Sequence, residues 1–281
     1  MKKVSFTKMN GAGNDFIVID KRNNNDVIPS PDVIKHLTDR KRGIGADGVF
    51  FVSPGTSGCD FHVEFYNADG SGGVLCGNGA RCAIMFAWQN GYMKNSKTHF
   101  LFNDKLYSGE VISDNLVRFD IIDTFDAESS VKPVEFMLDS VPVSGYLLDT
   151  GAPHFVIETD GKNFAGYDLN DLPVQSIGRK IRYHDALKPA GANVNFYSIS
   201  DGRVYLRTYE RGVEDETLAC GTGSTATAIV SIIKKQMTVP VSIVTHGGDT
   251  LTIEMQMDGP LLKNITLCGP AEASFSGTIA L

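Results

Sequence analysis

The chain has 281 residues, a net charge of −7 and 42% hydrophobic residues, enough for one large domain or two ordinary ones around a buried core. The negative charge argues against a nucleic-acid-binding surface, and we expect no nucleic-acid partner. No run of 18 apolar residues occurs, so we expect no membrane span. The N-terminal residues lack the apolar stretch of a signal peptide, and the five cysteines are an odd number. Both features favour reduced thiols in the cytoplasm over a disulfide framework.

The first helix is predicted to begin at Ser30-Pro31, because Ser is a favoured N-cap and Pro suits the first helical position. Val33, Ile34 and Leu37 then share one face of that helix. Apolar and polar residues alternate in four other segments, at 61–66, 116–121, 204–209 and 251–257. Such alternation predicts half-buried strands.

Two further segments, 80–88 and 225–233, are apolar almost all round. A helix with that pattern is buried on every side. Gly91 is expected to end the first of these helices, because glycine favours the left-handed position after a helix. Each half of the chain is therefore predicted to be a strand-rich shell around one central helix.

The two halves carry the same landmarks in the same order. Each has two Gly-Ala pairs followed by a Cys-Gly-x-Gly segment: Gly11, Gly45 and Cys76, then Gly151, Gly191 and Cys220. The separations are 34 and 31 residues in the first half, and 40 and 29 in the second. This order predicts a duplication. We expect the halves to meet between residues 120 and 133, where charged residues and Ser-Ser interrupt the strand pattern.

Cys76 and Cys220 are each placed at the start of a predicted helix, among backbone N–H groups that have no partner within the helix. This environment lowers a cysteine pKa from ~8.5 toward neutrality. It also binds an anion such as a carboxylate. Two such sites facing each other would hold a carboxylate between two helix ends, with one thiol on each side of the adjacent carbon. One thiolate could then remove a proton while the opposite thiol delivers one, which inverts the stereocentre.

The carbanion formed in such a reaction needs an electron sink, and no signature of pyridoxal phosphate is present. Without that cofactor the carboxylate itself must take up the charge under converging hydrogen bonds. A helix dipole contributes only ~0.3–2 kcal/mol. Preorganised N–H donors contribute roughly 3–4 kcal/mol each, so they must carry most of the effect.

Simpler interpretations apply to several of these residues. A single buried Cys is usually inert packing, which is our expectation for Cys82. Cys59 and Cys268 show no partner pattern, and the cysteine and histidine spacing disfavours zinc. Glu210-Arg211 would also fit a solvated strand end. Four asparagines could be turn residues alone: Asn14, Asn67, Asn78 and Asn193.

Seven segments together resemble the diaminopimelate epimerase family, in order from residue 5 to at least residue 225. They begin at Lys8 (KMNGAGNDF), Gly43 (GIGADG), Asn67 (NADGS), Cys76 (CGNGARC), Asn193 (NVNF), Tyr209 (YERG) and Thr217 (TLACGTG). The resemblance implies an α+β fold with two pseudo-symmetric domains, each a β-barrel-like sheet wrapped around a central helix, and a site in the cleft between them. It places residues 1–122 plus 268–281 in the N-terminal domain and 123–267 in the C-terminal domain. It further implies a homodimer, no cofactor, no metal, and diaminopimelate as the small-molecule substrate.

Carried over by position, the resemblance makes Cys76 and Cys220 the catalytic pair. The expected substrate contacts are Asn14, Asn67, Gly77, Asn78, Asn193, Glu210, Arg211, Gly221 and Thr222. His154 and Glu210 would modulate the acidity of the thiols. The chain departs from the family at Ala152, where Asn is frequent, and at Gly48, where Gln is common; both affect how the distal end of the substrate is read.

The resemblance predicts interconversion of LL- and meso-diaminopimelate in lysine and cell-wall precursor synthesis. One alternative is a racemase of proline or hydroxyproline with the same two-thiol chemistry, which would leave Arg211 unexplained. A second is an isomerase of this fold without paired cysteines, against which both thiols argue. A third is a non-catalytic amino-acid-binding protein, which would gain nothing from two opposed thiols.

Overall fold

A computed structural model of the protein describes residues 3–56, 58–73, 76–159, 164 and 167–281. The chain divides into two compact units, Met1–Asp120 with Cys268–Leu281, and Ile121–Leu267. We number the elements in chain order. The strands are β1 (Lys3–Gly11), β2 (Asn14–Asp20), β3 (Gly48–Pro54), β4 (Phe61–Asn67), β5 (Lys97–Phe102), β6 (Lys105–Ser113), β7 (Leu116–Asp126), β8 (Lys132–Leu138), β9 (Val141–Asp149), β10 (Pro153–Glu158), β11 (Asn193–Ser200), β12 (Arg203–Glu210), β13 (Asp215–Thr217), β14 (Val241–Thr245), β15 (Thr250–Asp258), β16 (Leu261–Pro270) and β17 (Glu272–Ala280). The helices are α1 (Pro31–Thr38), α2 (Gly77–Gln89), α3 (Ala127–Ser130), α4 (Val174–Arg182) and α5 (Gly221–Ile233), with a 3-10 turn at Asp185–Leu187.

The two units pair their strands in the same order. In the first, β17, β1 and β2 are antiparallel, β3 adds parallel to β2, β4 antiparallel to β3, β5 parallel to β4, and β6 antiparallel to β5. In the second, β8, β9, β10, β11, β12, β14 and β15 repeat the same orientations. The predicted duplication is confirmed in the topology.

Each sheet curves around one helix. Helix α2 packs against β17 and β1 to β3 on one side and β6 on the other, and α5 packs against strands from β9 to β15. Almost every residue of both helices is buried, as their apolar sequences predict. Within the predicted apolar segments 80–88 and 225–233 the exceptions are Trp88, 39% exposed, and Ile233, 38% exposed, so the prediction of burial on every side is wrong at the C-terminal ends of the helices. Both residues lie in the last turn of their helix.

A second helix covers the outer face of each sheet. Helix α1 begins as predicted, with the Ser30 side chain accepting from Val33 N at 3.3 Å. Its Ile34 and Leu37 join a buried cluster with Phe51 of β3. Helix α4 packs similarly against β11 and β12. Because β3 is covered on both faces, its first five residues are all buried rather than alternating.

The ends of the predicted elements agree with the structure in most places. Helix α2 ends at Gln89 and is capped by Asn90, and Gly91 takes the left-handed conformation at φ +71°. The four predicted strands lie within β4, β7, β12 and β15. Strand β7, however, continues through Asp120 to Asp126, so the interruption of the strand pattern falls later, at α3.

The strand register corrects one detail of the repeat. Phe16 pairs with Gly48 across β2 and β3, and Phe155 pairs with Val194 across β10 and β11. Gly48 and Val194 each lie three residues beyond the Gly of the second Gly-Ala landmark. The residue equivalent to His154 is therefore Asp15, not Asn14 as the Gly-Ala alignment suggests. The two halves place different ionisable groups at the same point of the fold.

Candidate active site

Cys76 and Cys220 occupy the same structural position in the two units. Each is the N-cap residue of its unit's central helix, with extended dihedral angles of −112° and 117° at Cys76 and −130° and 111° at Cys220. Each backbone carbonyl accepts the first helical hydrogen bond, at 2.8 Å. Within the described part of the chain, neither sulfur caps its own helix. Cys76 is partly exposed, and Cys220 is buried.

In the first unit, a chain of amide groups fixes the start of α2. Asn78 Nδ2 donates to Asn14 Oδ1 at 2.8 Å, and Asn14 Nδ2 donates to Asp47 Oδ2 at 3.0 Å. Arg81, which is fully buried, donates to Asn78 Oδ1 at 2.9 Å and to Gly77 O at 3.3 Å. Asn14 and Asn78 are thereby held in fixed orientations beside Cys76.

A cluster of ion pairs supports this amide chain. Arg40 binds Asp15 through two nitrogens at 2.7 and 2.9 Å, and it also binds Asp47 at 2.8 Å. The Lys8 ammonium lies 2.8 Å from Asp15 and also donates to the carbonyl of Gly45. Burial raises the pKa of Asp15, but hydrogen bonds and charge from Arg40 and Lys8 outweigh it and lower that pKa to about 2. Asp15 is therefore an anion at neutral pH.

Asn67 ends β4 and begins a tight turn. Its side chain donates to Ser71 Oγ at 3.0 Å, and Asp69 accepts from Ser71 N at 2.9 Å and from Ser71 Oγ at 2.6 Å. Asn67 pairs with Gly48 of the neighbouring strand. A Cβ at Gly48 would lie 2.4 Å from the Phe65 ring, so the ring of Phe65 fills the space that a larger residue at position 48 would need.

In the second unit, a chain of buried polar groups leads to Cys220. Thr208 Oγ1 donates to Asn195 Oδ1 at 2.9 Å, and Asn195 Nδ2 lies 2.9 Å from His154 Nδ1. His154 Nε2 lies 2.9 Å from Thr222 Oγ1, which lies 3.5 Å from Cys220 Sγ. Burial lowers the pKa of His154 to about 3, and the charge of Arg211 contributes in the same direction. The imidazole is therefore neutral at physiological pH.

Asn193, Glu210 and Arg211 meet at the adjoining turn. Asn193 Nδ2 donates to Pro153 O at 3.2 Å, and Asn193 Oδ1 accepts from Arg211 N at 2.8 Å. Glu210 is the last residue of β12, and its carbonyl accepts from Glu214 N at 2.8 Å, which closes the turn. The Arg211 guanidinium is partly exposed and donates to Ala190 O at 3.4 Å.

Ala152 lies in a turn that contacts the start of α5. Its carbonyl accepts from Thr150 N at 3.2 Å, and Thr150 Oγ1 donates to Thr222 O at 2.9 Å. Ala152 is partly exposed beside Gly151, whose φ of +107° suits glycine. Having Ala instead of Asn at position 152 removes a side-chain amide, and this changes the surface of the turn rather than its packing.

The alternative that the four asparagines are turn residues alone is wrong for Asn14, Asn78 and Asn193, and it fits Asn67, which begins a turn. None of Asn14, Asn67, Asn78 and Asn193 has a positive φ; they lie in β2, β4, α2 and β11. Within the first unit the structure joins Asn14 with Asn78. Within the second it joins His154, Thr222 and Cys220, and it joins Asn193 with Arg211 next to His154. The hydrogen bond of the Asn67 side chain is to Ser71, in its own turn.

Several polar residues of these networks were missed from the sequence: Asp15, Arg40, Asp47, Arg81, Asn195 and Thr208. The sequence could have identified Arg81, since it is a charged residue inside an otherwise apolar helix. It could also have identified Asn195, since this residue interrupts a strand of buried apolar residues. Cys82 is buried as expected, and burial raises its pKa to about 12 against the opposing charge of Arg81.

Among the described residues, neither a metal-ligand cluster nor a membrane-spanning helix is present. No three His, Cys, Asp or Glu side chains converge there as metal ligands would. No helix among them is long and apolar enough to cross a membrane.

Comparison with known proteins identifies relatives over nearly the whole chain. The family model for diaminopimelate epimerase matches residues 6–113 and 146–273. A diaminopimelate epimerase from Aquifex aeolicus is 36% identical over 291 residues, covering 99% of this chain and 98% of that protein. Another from Flavobacterium psychrophilum is 37% identical over 276 residues, covering 97% and 98%.

Solved structures share the fold at low sequence identity. A probable proline racemase from Agrobacterium radiobacter K84, with bound carbonate, superposes with a TM-score of 0.71 at 14% identity, covering 99% of this chain and 93% of that one. A PhzF-family phenazine biosynthesis protein from Bacillus anthracis superposes with a TM-score of 0.70 at 11% identity, covering all of both chains. These matches agree with the predicted two-repeat α+β fold.

Proposed function

The chain belongs to the diaminopimelate epimerase family, and we propose that it interconverts LL- and meso-diaminopimelate by a two-cysteine mechanism without pyridoxal phosphate. It is an isomerase, as its relatives' names state. The observation that carries the mechanism is the placement of Cys76 and Cys220 as N-caps of equivalent helices.

The proposed reaction moves one proton off the α-carbon and another onto it. The thiolate of one cysteine takes the α-proton, so a carbon–hydrogen bond breaks and a sulfur–hydrogen bond forms. The thiol of the other cysteine then gives its proton to the opposite face of the carbanion. After one turnover the thiol and the thiolate have exchanged places, and the same two residues serve the reverse direction.

The α-carboxylate is proposed to bind at the starts of α2 and α5. Gly77, Asn78, Gly221 and Thr222 supply the first-turn N–H groups of these helices, and such groups bind anions. In the transition state the carboxylate gains charge as the proton leaves. Donors that are already aimed at it stabilise that charge without having to reorganise.

The distal end of diaminopimelate is itself an amino acid, with one carboxylate and one ammonium group. We assign Arg211 to the distal carboxylate and Glu210 to the distal ammonium, with Asn14, Asn67 and Asn193 as hydrogen-bonding partners of the substrate. The contact from Asn193 Oδ1 to Arg211 N holds the start of the Arg211 turn in place. Glu210 and His154 are proposed to modulate the acidity of the thiols, His154 through the Thr222 hydroxyl.

The remaining assignments rest on the family resemblance. Residues 1–122 with 268–281 and residues 123–267 would act as two domains, each contributing one cysteine to a shared site. The protein would be a cytoplasmic homodimer that serves lysine and cell-wall precursor synthesis.

Substrate assays test this proposal against its rivals. Purified protein, freed of any pyridoxal phosphate with hydroxylamine, would be incubated separately with LL-diaminopimelate, L-proline and trans-4-hydroxy-L-proline, and the stereoisomers resolved by chiral chromatography. We expect only diaminopimelate to be epimerised, at a rate that hydroxylamine treatment does not change. Turnover of proline or hydroxyproline alone would support the racemase alternative, and binding of diaminopimelate without α-proton exchange would support the binding protein.

A further inference from the structure

The buried polar chain of the second unit leads from Thr208 through Asn195, His154 and Thr222 to Cys220. Each member is buried except Thr222, which is partly exposed: Thr208, Asn195 and His154 are 2%, 0% and 0% exposed. Buried polar groups are stable only when they are hydrogen-bonded. Asn195, His154 and Thr222 lie on three different elements, β11, β10 and α5, so the chain joins two neighbouring strands to the helix that carries Cys220.

The direction of the chain follows from Asn195. Its amide nitrogen faces His154 Nδ1, so Nδ1 must accept and carries no proton. A neutral imidazole has its single proton on the other nitrogen. Nε2–H therefore donates to Thr222 Oγ1 at 2.9 Å. Asn193 Nδ2 lies 3.5 Å from Nε2, but it is also a donor and its shorter bond is to Pro153 O.

Once Thr222 Oγ1 accepts from the imidazole, its own proton is free to point elsewhere. Cys220 Sγ lies 3.5 Å away, within hydrogen-bonding distance for sulfur. We propose that Asn195 is a positioning residue that fixes the His154 tautomer, and thereby directs the Thr222 hydroxyl proton onto the sulfur of Cys220. This proposal deepens the proposed function, on which it rests for its catalytic consequence.

Gly223 provides independent support for this role of Asn195. A Cβ at Gly223 would lie 2.5 Å from Asn195 Oδ1 and 3.3 Å from Cys220 Sγ. The amide group of Asn195 can therefore lie against the first turn of α5 only because position 223 is glycine. At the equivalent glycine of the first unit, Gly79, an added Cβ would instead lie 2.6 Å from the Phe50 ring. Gly223 thus makes room for a polar group, and Gly79 makes room for an aromatic ring.

A hydrogen bond donated to a thiolate stabilises the charged form and lowers the cysteine pKa. The alkylation rate of Cys220 by iodoacetamide, followed against pH by peptide mass spectrometry, reports that pKa without any substrate. The measurement uses the full chain in a Cys76→Ala background, so that the other proposed catalytic thiol does not contribute. Cys59 of the same samples is the internal control.

We expect Thr222→Val and Asn195→Leu each to raise the midpoint of Cys220 alkylation by about one pH unit. Thr222→Ser, which keeps the hydroxyl, should stay near the parent value, and Cys59 should not change. In the double variant the effect of Asn195→Leu should disappear, because Thr222→Val has already cut the chain. A residue that only packs would give no such dependence.

The two proposals can fail separately. Unchanged Cys220 midpoints in Thr222→Val, which alters a partly exposed side chain and should fold, would overturn the hydrogen-bond chain whatever the activity. Additive effects of Thr222→Val and Asn195→Leu would overturn the role of Asn195 alone. The expected midpoints in the Cys76→Ala background, together with a protein carrying both cysteines that does not epimerise diaminopimelate, would support the chain and reject the proposed function.

Discussion

The two cysteines sit at equivalent helix starts, but their surroundings differ in charge. In the unit of Cys76, the strand position equivalent to His154 carries Asp15, paired with Arg40 and Lys8. Beside Cys220 it carries His154, which is neutral and bonded to Asn195 and Thr222. The duplicated fold thus supplies two similar helix ends. At the equivalent strand position, the first unit has the Asp15 carboxylate in a cluster of ion pairs, which we call the ionic setting, and the second has the uncharged His154 imidazole, which we call the neutral setting. In the proposed mechanism the two thiols alternate between acid and base, which requires similar acidities, although different networks lie behind them.

The largest expected effect is on the cysteines themselves. Cys76→Ala and Cys220→Ala each remove one proton-transfer group, so we expect each to lower kcat for LL-diaminopimelate by at least roughly 10²–10⁴-fold. Stopped assays with chiral chromatography measure this loss. Cys82→Ala is the matched control, because Cys82 is a fully buried cysteine of the same helix, α2, and has no role in the proposed mechanism; it should fold less stably and keep most of its kcat. Full activity in either of the first two variants would contradict the account.

The ionic setting of the first unit should matter most for stability. Asp15→Asn leaves Lys8, which is 7% exposed, without its charged partner. We expect the free energy of unfolding to fall by about 3 kcal/mol, since breaking one side of a buried pair is costly. Asp258→Asn is the matched control, because the pair of Asp258 with Lys263 is exposed and should contribute less than about 1 kcal/mol. Urea denaturation of the three proteins measures both changes, and equal losses would show that the Lys8–Asp15 pair is not special.

Lowering the pH should remove the stability contributions of His154 and Asp15 in different pH ranges. The folded-state pKa of His154 is lowered from 6.5 to about 3. The stability that comes from keeping this imidazole neutral is complete above pH 6.5, and it is lost as the pH falls toward 3, at a slope of about 1.4 kcal/mol per pH unit. The pKa of Asp15 is lowered from 3.8 to about 2, so its contribution is lost only below pH 3.8.

The His154→Gln variant should therefore show a flatter stability profile between pH 6.5 and 4, whereas Asp15→Asn should keep the wild-type slope there. Urea denaturation at several pH values gives these slopes. A wild-type slope in His154→Gln would mean that the buried imidazole is not what titrates in this range.

The smallest expected effects are at Gly79 and Gly223, the equivalent glycines in the first turns of α2 and α5. Gly79→Ala would press a methyl group against Phe50, and Gly223→Ala would press one against Asn195 Oδ1. Each should destabilise the fold by about 1–3 kcal/mol, as overpacking usually does. Only Gly223→Ala should also slow the alkylation of Cys220 at neutral pH, because it displaces a polar group of the chain. Slower Cys220 alkylation in Gly79→Ala as well would mean that the two settings are not independent.

Local patterns were sufficient to predict much of the fold. Alternation gave the strands at β4, β7, β12 and β15, and the Ser30-Pro31 and Gly91 signals gave the ends of α1 and α2, because these features depend on residues close together in sequence. Trp88 was predicted to be buried, since a periodicity describes a helix face but not how far the surrounding sheet extends. The offset between Asn14 and Asp15 was not visible either, because strand register depends on pairing with residues more than thirty positions away.

The candidate site likewise contains residues that could be predicted from the sequence and residues that could not. Cys76 and Cys220 could be recognised from their Gly-x-Gly segments, and the structure places both as N-caps. The groups behind them could not, because Asp15 meets Arg40 across 25 positions and His154 meets Thr222 across 68. Such contacts join strand residues to the segment after α1 and to the first turn of α5, which are far away in the sequence, and no short motif predicts them.

The central claim is that one thiol removes the α-proton and the other replaces it from solvent. Incubation of LL-diaminopimelate with the protein in deuterium oxide, stopped before ten per cent conversion, tests this directly by mass spectrometry of the separated stereoisomers. The account predicts one deuterium at the α-carbon of every meso molecule formed, and almost none in the unreacted LL substrate. Meso product that keeps its original hydrogen would contradict the two-thiol mechanism.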